Sequence, residues 1–324
     1  AEFKQIMEDW PDDIEVKAFY ALQLWKNNRG MKDKSVPNKI LNAVLAKEPN
    51  HPCHHYRIHL WDFNGGSTNA LNSAAAGGQA GPAIAHLWHM PGHTYSRLKR
   101  YSDGAWQQEA SARTDHAYMI KNRVMPDQIS NFAHNNEWLI RNLNYLGAVD
   151  RAVDLARNMI ELPRHPKYNS FRKGSANYGT LRLLETLTRY ELWDEAIRLS
   201  QTQYLAPTDS NDHEVRRAHV LGLAYAWTKD ADGVKQQLEA LKKLKAKRPK
   251  PKKKPAPKAG SKTGANAKGK STSKSKSRSR TPRVGFLATL STIEAAEAEI
   301  NAVHHAMSGN EKDAKTWLAK AFGI

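Results

Sequence analysis

Histidine is concentrated in one short stretch of this chain. Seven of the fourteen histidines lie between His51 and His93, in two groups that read HPCHHYRIH and HLWHMPGH. Histidine is the commonest metal ligand, and its ordinary pKa lies closest to neutral pH of all the side chains. We therefore look for chemistry in these two groups first.

The first group has the spacing of ligands on one face of a helix. His55 and His59 are four residues apart, and Asp62 follows three residues later, so all three can lie on nearly the same face. Such a set suits zinc, iron or copper. The spacing resembles the HExxH motif of zinc peptidases, but Tyr56 stands where the catalytic glutamate belongs. The general base is missing, which excludes a peptidase of that type.

The second group contains a proline. Because proline fits the first turn of a helix and disrupts an interior, we predict a helix that starts near Met90 or Pro91. His93 would then lie on the helix, and His86 and His89 in the segment before it. The two groups together predict one metal site for copper, iron or zinc. Its predicted ligands are His55, His59, Asp62, His89 and His93.

A purely structural interpretation competes with the metal site. Buried imidazoles often bond backbone carbonyls between packed helices, and in that case no cofactor is expected. The distances among the ring nitrogens decide between the two. Three nitrogens within ~4 Å of one point would favour a metal, since ligand bonds are near ~2 Å.

A second polar cluster follows at helical spacing. His134 and Arg141 are two turns apart, and so are Asn135 and Asn142. Grooves of helical-repeat proteins use such donors to hold the backbone or terminal carboxylate of an extended peptide. We predict a peptide-binding role for these four residues, with an ordinary solvated helix face as the alternative.

Helical periodicity dominates the chain, and we find no convincing strand pattern. The turn segments around Asp103, Asp150 and Asp194 resemble one another, each with an alanine two residues later. We expect the aspartate to accept backbone N–H groups at the start of the next helix. With weaker copies, the turn Asp or Asn recurs 31 to 47 residues apart, except across a long basic insert. That period is typical of stacked helix pairs.

These turns resemble those of tetratricopeptide-repeat (TPR) proteins. The segments HHYRIH and AHLWHMPGHTYSRL also resemble ones that recur in bacterial TPR-like proteins. The resemblance implies an all-α, right-handed solenoid of antiparallel helix pairs over residues 1–241, with a C-terminal helical pair at 284–324 packing on it as a cap. It also implies a protein or peptide partner, and some relatives are joined to a thioredoxin-like or redoxin domain.

The net charge of +18 comes from one segment. Residues 242–283 contain eighteen Lys or Arg and no acid, whereas the rest of the chain has 32 basic and 32 acidic residues. A nucleic-acid-binding fold usually carries its basic stripe on the folded surface. We predict that 242–283 is a disordered linker. It would serve as a non-specific polyanion tether or as a plain spacer.

Other features narrow the classes further. Cys53 is the only cysteine, so no intrachain disulfide forms, and no apolar run is long enough for a membrane span. The chain begins Ala-Glu-Phe-Lys without methionine, which suggests a processed piece and leaves a cytoplasmic or an exported location open. The predicted function is a non-enzymatic scaffold that binds a peptide or protein on a concave surface. One alternative is a metal protein that uses the histidine cluster and could serve in redox chemistry. The other is polyanion tethering through residues 242–283.

Overall fold

A computed structural model describes residues 2–28, 31–63, 65–167, 174–247 and 290–323. All regular structure in these ranges is helical, which confirms the predicted all-α class. The chain divides into two compact units, residues 1–206 and 207–324. The α-helices of the first unit are α1 (Glu2–Asp9), α2 (Ile14–Asn27), α3 (Ser35–Lys47), α4 (His54–Trp61), α5 (Leu71–Ala76), α6 (Ala85–Arg97), α7 (Tyr101–Asn122), α8 (Ser130–Leu146), α9 (Val149–Glu161), α10 (Gly174–Arg189) and α11 (Trp193–Ser200). Those of the second unit are α12 (Asn211–Trp227), α13 (Ala231–Ala246), α14 (Leu290–Met307) and α15 (Glu311–Phe322).

In the first unit, each helix packs mainly on its neighbours in the chain. Helix α7 packs on both α6 and α8, and α8 also contacts α6 and α10. Helix α4 packs on α2, α3, α5 and α6. The histidine-bearing helices α4, α6 and α8 therefore lie side by side, with α6 in the middle.

The repeated turns form helix starts, but not by the predicted hydrogen bond. Asp103, Asp150 and Asp194 lie within the first turns of α7, α9 and α11, and the residues before those helices make no side-chain cap. The prediction that these aspartates cap the helices was therefore wrong. A carboxylate in the first turn still stabilises a helix through the helix dipole.

Helix α6 starts earlier than its proline predicts. It begins at Ala85 and continues through Pro91, so His86 and His89 are on the helix and not in a preceding loop. An interior proline costs a helix ~3 kcal/mol, but the packing around α6 compensates. Ser111 of α7 donates a hydrogen bond to the Ala85 carbonyl. The Pro91 ring packs so closely against Gly77 that a Cβ there would lie only 3.2 Å from it.

In the second unit, α14 packs on α12 and α13. The Ile300 side chain covers Gly222, and Lys245 lies within ion-pair distance of Glu294 and Glu297. Helix α13 includes residues 242–246, the first part of the predicted linker. Residues 248–283 of the predicted linker lie outside the described ranges. Among the described residues, no helix has the length and apolar character needed to cross a membrane.

Candidate metal centre

Six histidines of the first unit form two groups of three. We call His55, His59 and His86 the outer triad, because all three are partly exposed. We call His89, His93 and His134 the inner triad, because His89 and His93 are buried. Within each triad, one ring nitrogen from every residue lies within 4.8 Å of the others.

The inner triad brings α6 and α8 together. The Nε2 atoms of His89 and His93, one turn apart on α6, are 2.8 Å from each other. The ring of His134 on α8 packs against His89, with 4.7 Å between ring centroids. The indole of Trp138 stacks on His93 at 4.2 Å and closes one side of the group.

His89 is held by Gln108 of α7. The Gln108 amide donates from Nε2 to the His89 carbonyl (3.1 Å), so its Oε1 accepts a hydrogen bond from His89 Nδ1 (2.8 Å). That bond places the His89 proton on Nδ1 and leaves a lone pair on Nε2. Glycine at position 92 allows the Gln108 amide to come this close to α6, because a Cβ there would lie 2.2 Å from Gln108 Nε2.

His93 faces Asp62, a residue that we predicted as a ligand beside His55 and His59. Asp62 follows the end of α4, where its Oδ1 accepts a hydrogen bond from Arg97 Nε (2.8 Å) and lies 3.7 Å from His93 Nδ1. The predicted placement of Asp62 with the outer histidines was therefore wrong: the guanidinium of Arg97 holds the carboxylate behind the inner triad. His86 takes its place beside His55 and His59.

His134 is backed by a buried carboxylate. Glu137, one turn further along α8, has its Oε1 3.0 Å from His134 Nδ1. The other carboxylate oxygen pairs with Arg182 of α10, which also pairs with Glu185. The Nδ1 atoms of His89 and His134 thus lie within hydrogen-bond distance of Gln108 and Glu137, and the Nδ1 atom of His93 lies 3.7 Å from Asp62.

The outer triad is built differently. His55 and His59 are on one face of α4, as their spacing predicts, and their ring centroids are 4.5 Å apart. His86 packs on His55 at 4.9 Å and has a hydrogen bond with Asn131. The Nε2 atom of His55 is buried, with no hydrogen-bond partner among the described residues, and the ring of His59 stacks on Trp25 at 5.1 Å.

Burial favours the neutral form of four of these imidazoles. Burial, with His59 and His86 nearby, lowers the pKa of His55 to about 3. Burial also lowers the pKa of His86, His89 and His93 below the ordinary histidine value. Although burial opposes ionisation of Asp62, its contacts with His93 and Arg97 hold the pKa of that carboxyl at about 2. Neutral imidazoles bind metals without first losing a proton.

The geometry of both triads fits a metal ion. Three atoms that are within 4.8 Å of one another all fall within about 3 Å of a single point, so ring shifts of up to about 1 Å would bring them to the ~2 Å of a metal–nitrogen bond. Both groups consist of histidine alone. Each would leave a coordination position open for a fourth ligand.

Sequence reasoning found four of the six histidines but divided them wrongly. It joined His55 and His59 with His89 and His93 in one cage, whereas the structure places the two pairs in separate triads. It left out His86, and it placed both His86 and His89 in the segment before a helix that starts near Pro91. On the continuous helix that forms, spacings of three and four residues bring His86, His89 and His93 to one face.

The predicted peptide-binding set is largely internal. Asn135 and Asn142 are fully buried; Asn135 donates to Asp115, and Asn142 accepts from Ser96 and donates to the Trp138 carbonyl. Neither can contact a peptide in this conformation. His134 belongs to the inner triad, and the guanidinium of Arg141 lies over the Trp138 ring at 4.6 Å.

His54 and Cys53 lie outside the triads. The His54 ring contacts Ser73 Oγ (3.1 Å) and the Pro49 carbonyl (2.8 Å), as a structural histidine would. Cys53 is a buried free thiol, and burial raises its pKa to about 12.

Comparisons with known proteins do not identify this centre. No model of a known protein family matches the chain, and no curated protein has a significantly similar sequence. The resemblance to TPR proteins therefore stays a prediction.

Proposed function

We propose that residues 1–206 form a metalloprotein unit that binds two transition-metal ions, one in each triad. The observation that carries the proposal is the arrangement of the inner triad, whose three rings each have an acceptor on the Nδ1 side, from Gln108, Asp62 and Glu137. Metal-binding histidines almost always place a carboxylate or carbonyl oxygen on the nitrogen that does not bind the metal. Imidazole ligands suit copper, zinc, iron and nickel.

The structural interpretation accounts less well for the same contacts. A structural histidine bonds through both ring nitrogens, as His54 does. His89 also bonds through both nitrogens, because His93 Nε2 donates to its Nε2 across 2.8 Å, but this places the only proton of His93 on Nε2. His93 Nδ1 is then left buried beside the Asp62 carboxylate without a hydrogen bond, and His55 Nε2 is also buried without a partner among the described residues. Burying an unsatisfied polar atom costs about 1–3 kcal/mol. A cation in the inner triad would bind His93 Nε2 and let the proton move to Nδ1, and a cation in the outer triad would satisfy His55 Nε2.

The metal content of protein purified without an affinity tag tests the proposal. We expect about two equivalents of copper or zinc per chain after loading and dialysis, and one equivalent in each of two double variants. One variant replaces His55 and His59 with alanine, and the other replaces His89 and His93.

A matched control separates these sites from adventitious binding by surface histidines. His304 and His305 of the second unit belong to neither triad, so replacing both with alanine leaves the metal content unchanged. Circular dichroism establishes that each variant folds. Clearly fewer than two equivalents in the unaltered chain, or an equal loss in the control, would overturn the proposal.

The scaffold function expected from the sequence stays a second candidate, together with the right-handed TPR-like solenoid. Its support is a groove of about 410 Å³ between α7, α8 and α9, where the apolar side chains of Phe132 and Leu139 lie among charged residues of both signs: Glu109, Arg113, Arg151 and Asp154. A peptide with apolar side chains and a carboxylate that can pair with the arginines fits that lining. Peptide titration followed by fluorescence anisotropy tests it, and replacing both arginines with alanine should weaken binding.

Polyanion tethering also stays a proposal. Because residues 242–246 belong to α13, the deletion that tests it should begin at residue 248 and end at 283. Heparin retention should then be lost without a lower melting temperature. Unchanged retention would end the idea.

A further inference from the structure

The two triads are neighbours that share one helix. His86 of the outer triad and His89 of the inner triad are one turn apart on α6, and their rings stack with 5.6 Å between centroids and 19° between planes. His55 packs on His86, and His134 packs on His89. The rings therefore form a continuous series, and the two triads are in direct contact through His86 and His89.

The donor set of this pair is unusual for a hydrolytic centre. Two-metal hydrolytic sites hold their ions about 3.5–4 Å apart, and carboxylate ligands suit the hard cations that serve there. Here each triad offers imidazole only. The nearest carboxylates, Asp62 and Glu137, lie on the Nδ1 sides of His93 and His134, where Arg97 and Arg182 hold them. Six imidazoles without a bridging anion suit copper, which accepts such ligands in both oxidation states.

Resting on the metal-binding function proposed above, we propose that the two triads together form a dinuclear copper centre that binds dioxygen reversibly between its ions. Each copper(I) gives one electron, and dioxygen accepts both. Two copper(I) ions and O2 thus become two copper(II) ions bridged by peroxide, with no proton taken up. The O–O bond order falls from two to one, and the oxygen atoms of the peroxide form new bonds to both copper ions. Release reverses the electron transfer.

The charge balance favours this step in a buried site. Two copper(I) ions carry a total charge of +2, and two copper(II) ions with peroxide also carry +2. Since burying an uncompensated charge in a protein is costly, a reaction that leaves the local charge unchanged suits this environment. Ligand binding therefore requires no new counter-ion beside the ion pairs of Asp62 with Arg97 and Glu137 with Arg182.

Burial restricts the ligand to a small molecule. His89 and His93 are 1% and 6% exposed, and Trp138 covers the ring of His93. The outer triad is partly exposed and gives access from solvent. A diatomic molecule is small enough for such a buried centre, whereas an organic substrate would have to displace the packed rings.

The test uses the full chain loaded with two equivalents of copper(I) under anaerobic conditions. On exposure to O2, we expect uptake of one O2 per two coppers, an intense near-ultraviolet peroxide-to-copper(II) band and no copper(II) signal in electron paramagnetic resonance, because the two ions are coupled. Flushing with argon should remove the band. The His55/His59 and His89/His93 double alanine variants should bind one copper each and form no such band, and the His304/His305 variant should behave as the unaltered chain.

Two contrary results are distinguishable. If two coppers bind but oxidise to give the paramagnetic signals of isolated copper(II), the dinuclear proposal is wrong and metal binding stands. If no copper binds to either triad, both proposals are wrong.

Discussion

The outer and inner triads contain the same three side chains but differ in what holds them. The inner rings have Gln108, Asp62 and Glu137 behind them, and two of these acceptors are themselves fixed by arginines. Around the outer triad, His59 packs on Trp25 and His55 packs on His86. The difference is that buried carboxylates with arginine partners stand behind the inner triad, whereas aromatic rings pack against the outer one.

We therefore expect the inner triad to bind its metal more tightly and to release it more slowly. Orientation by acceptors typically contributes 10–100-fold to metal affinity, and the inner rings are also shielded from solvent. The following changes weaken one triad and leave the other in place, in order of decreasing effect.

Replacing Glu137 with glutamine should have the largest effect. The change leaves the guanidinium of Arg182 buried with less compensation, and breaking a buried pair costs about 3–5 kcal/mol. Urea unfolding measures that loss, and metal titration should show weaker binding by the inner triad alone. The control is Glu109→Gln, which removes partly exposed pairs with Arg113 and Arg151 and should cost under ~1 kcal/mol. Equal losses in both variants would contradict this account of Glu137.

Gly92→Ala should destabilise the metal-free protein by about 1–3 kcal/mol, the usual cost of overpacking. The new Cβ would lie 2.2 Å from Gln108 Nε2, so the amide must move away from His89. The double variant Gly92→Ala/Gln108→Ala removes the clash and should recover part of the melting temperature without recovering inner-triad affinity. If the double variant is no more stable than the single one, Gln108 is not the obstacle.

Gln108→Leu should lower the affinity of the inner triad 10–100-fold, because His89 loses the acceptor that keeps its proton on Nδ1. Asn131→Leu is the matching change behind His86 and should act on the outer triad only. Competition with a chelator, read separately in each double-alanine background, assigns the losses. An effect of Gln108→Leu on the outer metal would contradict the separation of the two sites.

The smallest effect concerns acid stability without metal. The pKa of His55 is about 3 in the folded chain, against an ordinary histidine value of 6.5 in the unfolded chain, so the unfolded state takes up its proton first. Stability should therefore fall as the pH drops below 6.5 and continue to fall toward pH 3. His55→Phe removes this contribution, and urea unfolding at pH 7.5, 5.5 and 4.5 should show a shallower decline. An identical decline in both proteins would mean that the fold does not lower the pKa of His55.

Local spacing predicted part of the candidate centre correctly. The helical fold class and the shared face of His55 and His59 follow from residues three and four apart, which any helix brings together. The position of His86 was obscured by Pro91, which normally ends a helix interior. Contacts from α7 and from the end of α5 override that preference here. The residues next to Pro91 in the sequence do not show these contacts, because they come from other helices.

Long-range contacts account for the rest. His134 is separated from His89 by the whole of α7, and its polar neighbours suggested a peptide-binding surface. Its own sequence held one usable signal, Glu137 at i+3, which is the spacing of a carboxylate that can back a histidine ring. The burial of Asn135 and Asn142 could not be read from their polar character, because packing against α6 and α7 determines it.

The amino-acid sequence by itself determined the helices, the crowding of histidines into two groups and the confinement of the excess positive charge to one segment. These are properties of composition and of spacing within a few residues. Only the tertiary structure decided which histidines share a triad, and that Asp62 and Glu137 stand behind ligand rings. The reason is that α4, α6 and α8 meet through side-chain packing across distant parts of the chain, and a ligand set exists only where ring nitrogens from different helices converge.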